Sequence, residues 1–287
     1  MHTVTISAAQ LQALIASGQP LLILDLSFDL ANTAWGEEQF LAAHIPGAAY
    51  AHLDRDLSAA HGDASAASGG RHPLPTREAF ARWLAAAGLN PDTQVVVYDR
   101  NGTMTAGRGW WMTQWAGHEA VAVLDGGWNA WLAAGGATEN GPARARPAGS
   151  FRLAAPLAEL RTLQQVHGAL GEQGRQTLID ARATPRYLGD MEPLDPIAGH
   201  IPGALNRPFG SNLQADGLFK PAAQLRAEFE QLLAGADPAS VVHHCGSGVS
   251  AVPNILAMEL AGLGRRPLFA GSWSEWSNTP GMPCAKG

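Results

Sequence analysis

The sequence predicts an α/β protein made of two tandem domains, each a mostly parallel sheet flanked by helices. Three observations carry that expectation. Short runs rich in Val, Ile and Leu alternate with helical patterns, as in a parallel sheet covered on both faces. The alternation occurs twice, in the same order, along the chain. Finally, 287 residues at 46% hydrophobic and 15% charged are enough for two cores of ordinary size and too apolar for a disordered chain.

The duplication is explicit in the residues. His44-Ile45-Pro46-Gly47-Ala48 recurs as His200-Ile201-Pro202-Gly203-Ala204, 156 residues later. Each copy follows an apolar strand ending in aspartate, Leu21-Leu22-Ile23-Leu24-Asp25 and Thr177-Leu178-Ile179-Asp180. Val95-Val96-Val97-Tyr98-Asp99 matches Val241-Val242-His243-His244-Cys245, and Gly127-Trp128 with Trp131 matches Ser272-Trp273 with Trp276. Chance could supply one such pentapeptide, but four features in one order indicate an internal repeat.

In the first half, residues 76–88 form a helical pattern with Phe80, Trp83 and Leu84 on one face. A strand over 95–98, a helix over 106–117 and a strand over 121–124 follow, then a turn at Asp125-Gly126-Gly127. The second half repeats the plan: helix 225–233, strand 240–244, helix 249–263, strand 267–269. The Ala/Ser/Gly-rich stretch 59–70 has no counterpart in the second half and is expected to be an exposed loop. Domains are expected over 1–138 and 150–287, joined by a Gly-, Pro-, Ala- and Arg-rich linker at 139–149.

Composition excludes several classes of function. A formal net charge of −6 gives no support to nucleic-acid or anionic-membrane binding. No apolar run approaches the roughly 18 residues of a membrane span, and the N-terminus lacks a signal-peptide pattern. Two cysteines in so long a chain suit a reducing compartment, so the protein is expected to be cytoplasmic.

The chemistry concentrates at Cys245, where an apolar strand meets Gly246-Ser247-Gly248-Val249-Ser250 and then a helical pattern starting at about Val249. Small residues let such a loop curl with successive N–H groups pointing inward, and the positive end of a helix adds to the field. Negative charge on sulfur, the form that attacks and carries sulfur, is favoured there. Pro253 in the first helical turn is compatible, because that N–H has no helical acceptor. The competing reading of these residues is a buried core cysteine. A cysteine phosphatase would need an arginine six residues on to grip phosphate, and that position is Ala251.

The tandem halves, the two His-Ile-Pro-Gly-Ala motifs and the Cys245-Gly246-Ser247-Gly248-Val249 loop resemble a two-domain rhodanese-type sulfurtransferase. The resemblance covers essentially the whole chain. It implies two rhodanese-like domains of which only the second is catalytic, consistent with Asp99 standing where the second half has Cys245. It also implies a ping-pong reaction without a cofactor. Cys245 takes sulfur from a small donor, becomes a persulfide, and passes the outer sulfur to cyanide, a thiol or a thioredoxin-like acceptor.

The loop resembles the Cys-Gly-Ser-Gly-Val-Thr of 3-mercaptopyruvate sulfurtransferases more than the Cys-Arg-Lys-Gly-Val-Thr of thiosulfate enzymes, with Ser250 for the threonine. The same resemblance implies a proton relay of Ser247, His72 and Asp54, and donor binding by Arg186. The chain departs from the pattern at Leu194, in Glu192-Pro193-Leu194, where mercaptopyruvate enzymes present a second arginine. Loss of one charge-assisted contact there is worth about 1.5–3 kcal/mol, which keeps thiosulfate open as the donor. A non-catalytic persulfide- or anion-binding module is the remaining alternative. The tryptophans after each last strand, and His44 with His200, are expected to be structural. His243 and His244, on one strand, point to opposite faces, and no histidine set has metal-ligand spacing.

Overall fold

Leu22, Ile23 and Leu24 are all buried, although neighbours in a strand face opposite sides of the sheet. The same holds for Val95–Val97 and for Val121–Leu124, so both faces of this sheet must be covered. The computed structural model describes residues 1–172 and 174–287 and forms two compact units, each with such a sheet. Unit 1 comprises Met1–Ala60, Pro75–Leu157 and Gln214–Phe219; unit 2 comprises His61–Leu74, Ala158–Leu213 and Lys220–Gly287.

Unit 1 runs β1 (Thr5–Ile6), α1 (Ala8–Ser17), β2 (Leu21–Asp25), α2 (Trp35–Ala42), β3 (Ala49–Tyr50) and α3 (Leu53–Asp56). It continues through α4 (Arg77–Ala86), β4 (Gln94–Tyr98), α5 (Met104–Trp115), β5 (Val121–Leu124) and α6 (Gly127–Ala133). The five strands are parallel in the order β1-β5-β4-β2-β3. Thr76 caps α4, its hydroxyl accepting from Ala79 N at 3.1 Å, and Phe80 and Leu84 bury its apolar face. Trp83, expected on that face, is only partly buried because its indole N–H reaches Asp56 Oδ1 at 3.0 Å. Residues 139–149, expected as the linker, belong to unit 1 and are bonded to it. Glu139 pairs its backbone with His44, and Gly149 N donates to Ala85 O at 2.7 Å.

Unit 2 runs α7 (Leu163–Gly168), β6 (Thr177–Asp180), α8 (Thr184–Leu188), β7 (Leu205–Asn206), α9 (Ala222–Leu233), β8 (Val241–His244), α10 (Val252–Leu260) and α11 (Ser272–Asn278). Its ladder is β7-β6-β8, again parallel. Residues 267–269, expected as a strand, contribute only isolated parallel bridges of Leu268 to His243 and to Leu160. Those bridges extend the order to match unit 1, with Leu268 in the place of β5 and Leu160 in the place of β1. The helix expected from about Val249 begins at Val252, because Gly246 to Ala251 are used by the loop. Trp273 and Trp276 are fully buried beside Val242, Ile201 and Phe269; Trp128 and Trp131 hold the same place in unit 1.

In both sheets the buried aspartate ends one central strand and pairs in register with the end of the next, Asp25 with Tyr98 and Asp180 with His244. Cys245 therefore leaves the carboxyl end of β8 at the centre of a parallel sheet, where loops of α/β folds carry sites. Among the described residues no helix is long and apolar enough to cross a membrane.

Candidate active site

The loop after β8 is shaped by three local constraints. Gly248 has φ +73, and a Cβ there would lie 2.3 Å from the Ala270 carbonyl oxygen, so only glycine fits. Trp273 N and Ser274 N, at the start of α11, donate to Cys245 O at 3.0 Å and Gly246 O at 2.8 Å. Across a trans peptide the N–H points opposite to the C=O, so the amides of Gly246 and Ser247 face away from α11. The third constraint is Ser272, whose hydroxyl accepts from Cys245 N at 3.1 Å and donates to Phe269 O at 2.9 Å.

Ser272 adopts φ +55, the same as Gly127 at its repeat position. A left-handed serine costs free energy that a glycine does not, and the two hydroxyl bonds offset that cost. Sequence reasoning did not single out Ser272. The available signal was the replacement of Gly127 by a hydroxyl residue next to the cysteine loop.

Unit 1 displays what such a loop binds. Asp99, at the position of Cys245, turns its carboxylate into its own loop. Oδ1 accepts from Asn101 N at 3.1 Å and Thr103 N at 2.9 Å; Oδ2 accepts from Ala106 N at 2.9 Å and Thr105 Oγ1 at 3.2 Å. Burial raises this carboxyl, and the three amides and the Thr105 hydroxyl oppose the rise without cancelling it. Gly102 carries φ +73, as Gly248 does. The first loop is thus an anion cradle filled by its own side chain. Cysteine in the second loop is shorter and does not reach as far.

Cys245 is 1% exposed, as enclosed as the competing reading of a buried cysteine implied, and Gly246, Ser247, Gly248 and Val249 are also buried, while Ser250 is half-buried. His72 reaches this loop because His61–Leu74 belongs to unit 2. Its Nδ1 lies 2.8 Å from Ser247 Oγ. Two glycines allow the approach: a Cβ on Gly70, at φ +86, would lie 2.6 Å from Gly271 O, and one on Gly69 would meet the Glu275 carboxylate at 2.7 Å. Glu275 accepts from the Gly69 amide; burial raises its carboxyl and this bond opposes the rise. Asp54, the third member of the expected relay, sits in unit 1 on α3 with its N–H on His52 Nδ1.

Arginines line the mouth of the loop. Arg186 donates to Glu192 at 2.5 Å and to Asp195 at 3.4 Å, while Arg71 donates to Asp195 at 2.9 Å. Both acids are buried, at 2% side-chain exposure. Arg182 is held in structural contacts: it forks onto Asp180, reaches Gly199 O at 2.6 Å and lies over the Trp273 ring at 4.8 Å. In unit 1 Arg100 does the same for Asp25 and Trp128 from a different point in the chain. Leu194 is exposed, and its N–H donates to Glu192 Oε1 at 3.0 Å.

Four histidines outside the expected relay, His44, His200, His243 and His244, are buried, packed groups. His44 stacks on Phe40 at 3.8 Å and His200 on Tyr187 at 3.9 Å. His243 and His244 are fully buried, and burial pushes both below the usual imidazole range. Cys284 is exposed near the C-terminus, far in sequence from the loop. Among the described residues no three His, Cys, Asp or Glu groups could hold a metal ion.

The rhodanese-like domain family matches the chain twice, over residues 7–134 and 162–279. A Pseudomonas aeruginosa protein described as a probable 3-mercaptopyruvate sulfurtransferase is 43% identical over 288 residues, covering 100% of both chains. The thiosulfate sulfurtransferase of Bos taurus is 35% identical over 90% of this chain and 86% of its own length. Among solved structures, the 3-mercaptopyruvate sulfurtransferase from Leishmania major superposes with a TM-score of 0.81 at 30% identity, over 98% of this chain and 76% of that one. With two matched domains, a filled cradle in the first and a cysteine cradle in the second, this chain belongs to the rhodanese family in its tandem, two-domain form.

Proposed function

We propose that the protein is a 3-mercaptopyruvate sulfurtransferase that carries sulfur as a persulfide on Cys245. The observation that supports this reading best is the hydroxyl–imidazole pair, Ser247 Oγ to His72 Nδ1 at 2.8 Å, inside the cysteine loop. A thiol donor needs its proton moved; thiosulfate does not.

In the first half-reaction the Cys245 thiolate attacks the donor sulfur. An S–S bond forms, the C–S bond breaks, and its electron pair goes to the carbon of the departing pyruvate. That carbon ends with the proton the thiol gave up, so one proton travels from sulfur to carbon. In this reading Ser247 and His72 take it and return it, and the resemblance supplies the relay's carboxylate as Asp54. The persulfide leaves a negative sulfur at the loop. The amides of Gly246 and Ser247, with Gly248, Val249 and Ser250 shaping the turn, stabilise it as the amides of unit 1 stabilise Asp99. Arg186 binds the donor's carboxylate. In the second half-reaction a thiolate, a thioredoxin-like reductant or cyanide attacks the outer sulfur and Cys245 leaves as thiolate.

Thiosulfate is the second reading, supported by the similarity to the bovine enzyme and by Leu194. A side-by-side kcat/KM for the two donors with cyanide as acceptor tests the proposal. A higher value for thiosulfate overturns it.

A further inference from the structure

Leu194 stands where the resemblance to mercaptopyruvate enzymes implies a second arginine, yet a second guanidinium does face the loop. Gly246 shows where. Its φ is not in the left-handed region, so the backbone does not require glycine there. A Cβ built on it would have as its three nearest atoms Arg71 Nη2 at 3.4 Å, Arg186 Nη1 at 3.5 Å and Arg186 Nη2 at 3.8 Å. Two guanidinium groups therefore converge on one point beside the residue that follows Cys245. A side chain at 246 would cover them.

The hydrogen bonds leave the right atoms available. Arg71 spends Nη1 on Asp195 Oδ1 at 2.9 Å; Arg186 spends Nε and Nη2 on Glu192, with Nη2 also 3.4 Å from Asp195 Oδ2. Among the described residues Arg71 Nη2 and Arg186 Nη1, the atoms nearest that point, have no hydrogen-bond partner, and Arg71 Nε is buried without one. The side chains are 26% and 17% exposed, open enough to be reached. The acids behind them are enclosed at 2%, so they hold the arginines without competing at the mouth.

We propose that Arg71 is the second anion-binding arginine of the donor site, taking the part vacant at Leu194, and that Asp195 is a positioning residue that sets Arg71 and Arg186 at one carboxylate. Two planar forks around one anion give a grip that a single fork does not. The inference rests on the proposed sulfurtransferase reading and deepens it. It also explains the neighbouring residues: Arg71 and His72 are adjacent, so the segment that delivers the proton relay delivers the clamp as well.

The test uses the full chain with Arg71→Gln, Arg71→Lys and Asp195→Asn. Persulfide loading of the unaltered protein by 3-mercaptopyruvate is measured first; if no cyanide-labile sulfur forms, the proposed function fails, independently of Arg71. With loading established, Arg71→Gln is expected to raise the KM for 3-mercaptopyruvate roughly ten- to a hundredfold, with kcat within about threefold. The inhibition constant of pyruvate, which keeps the carboxylate and lacks the sulfur, should rise in parallel. Arg71→Lys should recover only part of the loss, and Asp195→Asn should raise KM less than Arg71→Gln does. An unchanged KM and pyruvate inhibition in Arg71→Gln overturns the inference. So does a fall in kcat alone with a lowered melting temperature, which would make Arg71 a tether for its segment.

Discussion

Replacing His72 by alanine separates the proton relay from the sulfur cradle. His72 and Ser247 are 5% and 7% exposed, and their 2.8 Å contact is an ordinary close O–H/N pair sheltered from water. A positioned acid–base group contributes about 10²–10⁴-fold to a rate, or ~2.7–5.4 kcal/mol of barrier. Only one of the two donors needs that contribution. 3-Mercaptopyruvate must shed an S–H proton and its carbon must gain one, whereas thiosulfate gives up sulfur and leaves as sulfite with no proton transferred. His72→Ala is therefore expected to lower kcat/KM for 3-mercaptopyruvate at least a hundredfold and for thiosulfate by less than about threefold. Stranding the Ser247 hydroxyl costs a further ~1–3 kcal/mol of stability, which a melting curve reads and the donor ratio does not. The assay is stopped-time persulfide loading with each donor, scored by pyruvate or sulfite release. Equal losses for both donors would make His72 a structural group, and an unchanged mercaptopyruvate rate would remove the relay.

Other outcomes follow from the same geometry. Cys245→Ser should abolish cyanide-labile sulfur and turnover with both donors; residual transfer would place the carrier elsewhere. Cys245→Asp should be inactive yet melt no lower than the parent, because a carboxylate can fill the second loop as Asp99 fills the first; a drop of many degrees would refute the cradle comparison. Gly248→Ala forces a left-handed alanine, about 1–2 kcal/mol, and a 2.3 Å contact with Ala270 O. It should cost several degrees of melting temperature and about a hundredfold in loading rate; parent-like loading would show that the loop geometry does not matter.

Acid stability offers a further check. Burial, then the fields of His244, Arg266 and Arg207, pushes His243 from 6.5 down to about 3. Between those values the unfolded chain holds a proton on this residue that the folded chain does not. Stability from this group is therefore full above pH 6.5 and falls as pH drops toward 3, by up to about 1.4 kcal/mol per pH unit. His243→Leu should flatten the denaturant midpoint against pH in that window; an unchanged slope would contradict it.

Much of the architecture was legible because burial on both faces leaves a simple mark. Val95–Val97 and Leu22–Leu24 could only be central strands of a covered sheet, and the match of Val95–Asp99 to Val241–Cys245 located both loops. The Pro267–Phe269 region was harder, since three apolar residues suit a strand whether they form a ladder or a pair of isolated bridges. The start of α10 was also displaced, because small residues that begin a helix and small residues that curl around an anion look alike. Ser272 could be aligned with Gly127 but its role could not be read, because it depends on a φ of +55 that serine rarely adopts.

The sequence by itself determined the duplication, the parallel sheets, the cysteine at the end of β8 and the glycines that let its loop close, since these depend on local backbone freedom and on periodic burial. Tertiary structure alone decided that His61–Leu74 folds with the second unit, and so that Arg71 and His72 meet residues more than 170 positions away. No local pattern encodes such a meeting. It arises where Gly69 and Gly70 lie against Gly271 and Glu275, a close approach that exists only once both segments have been brought together by the fold.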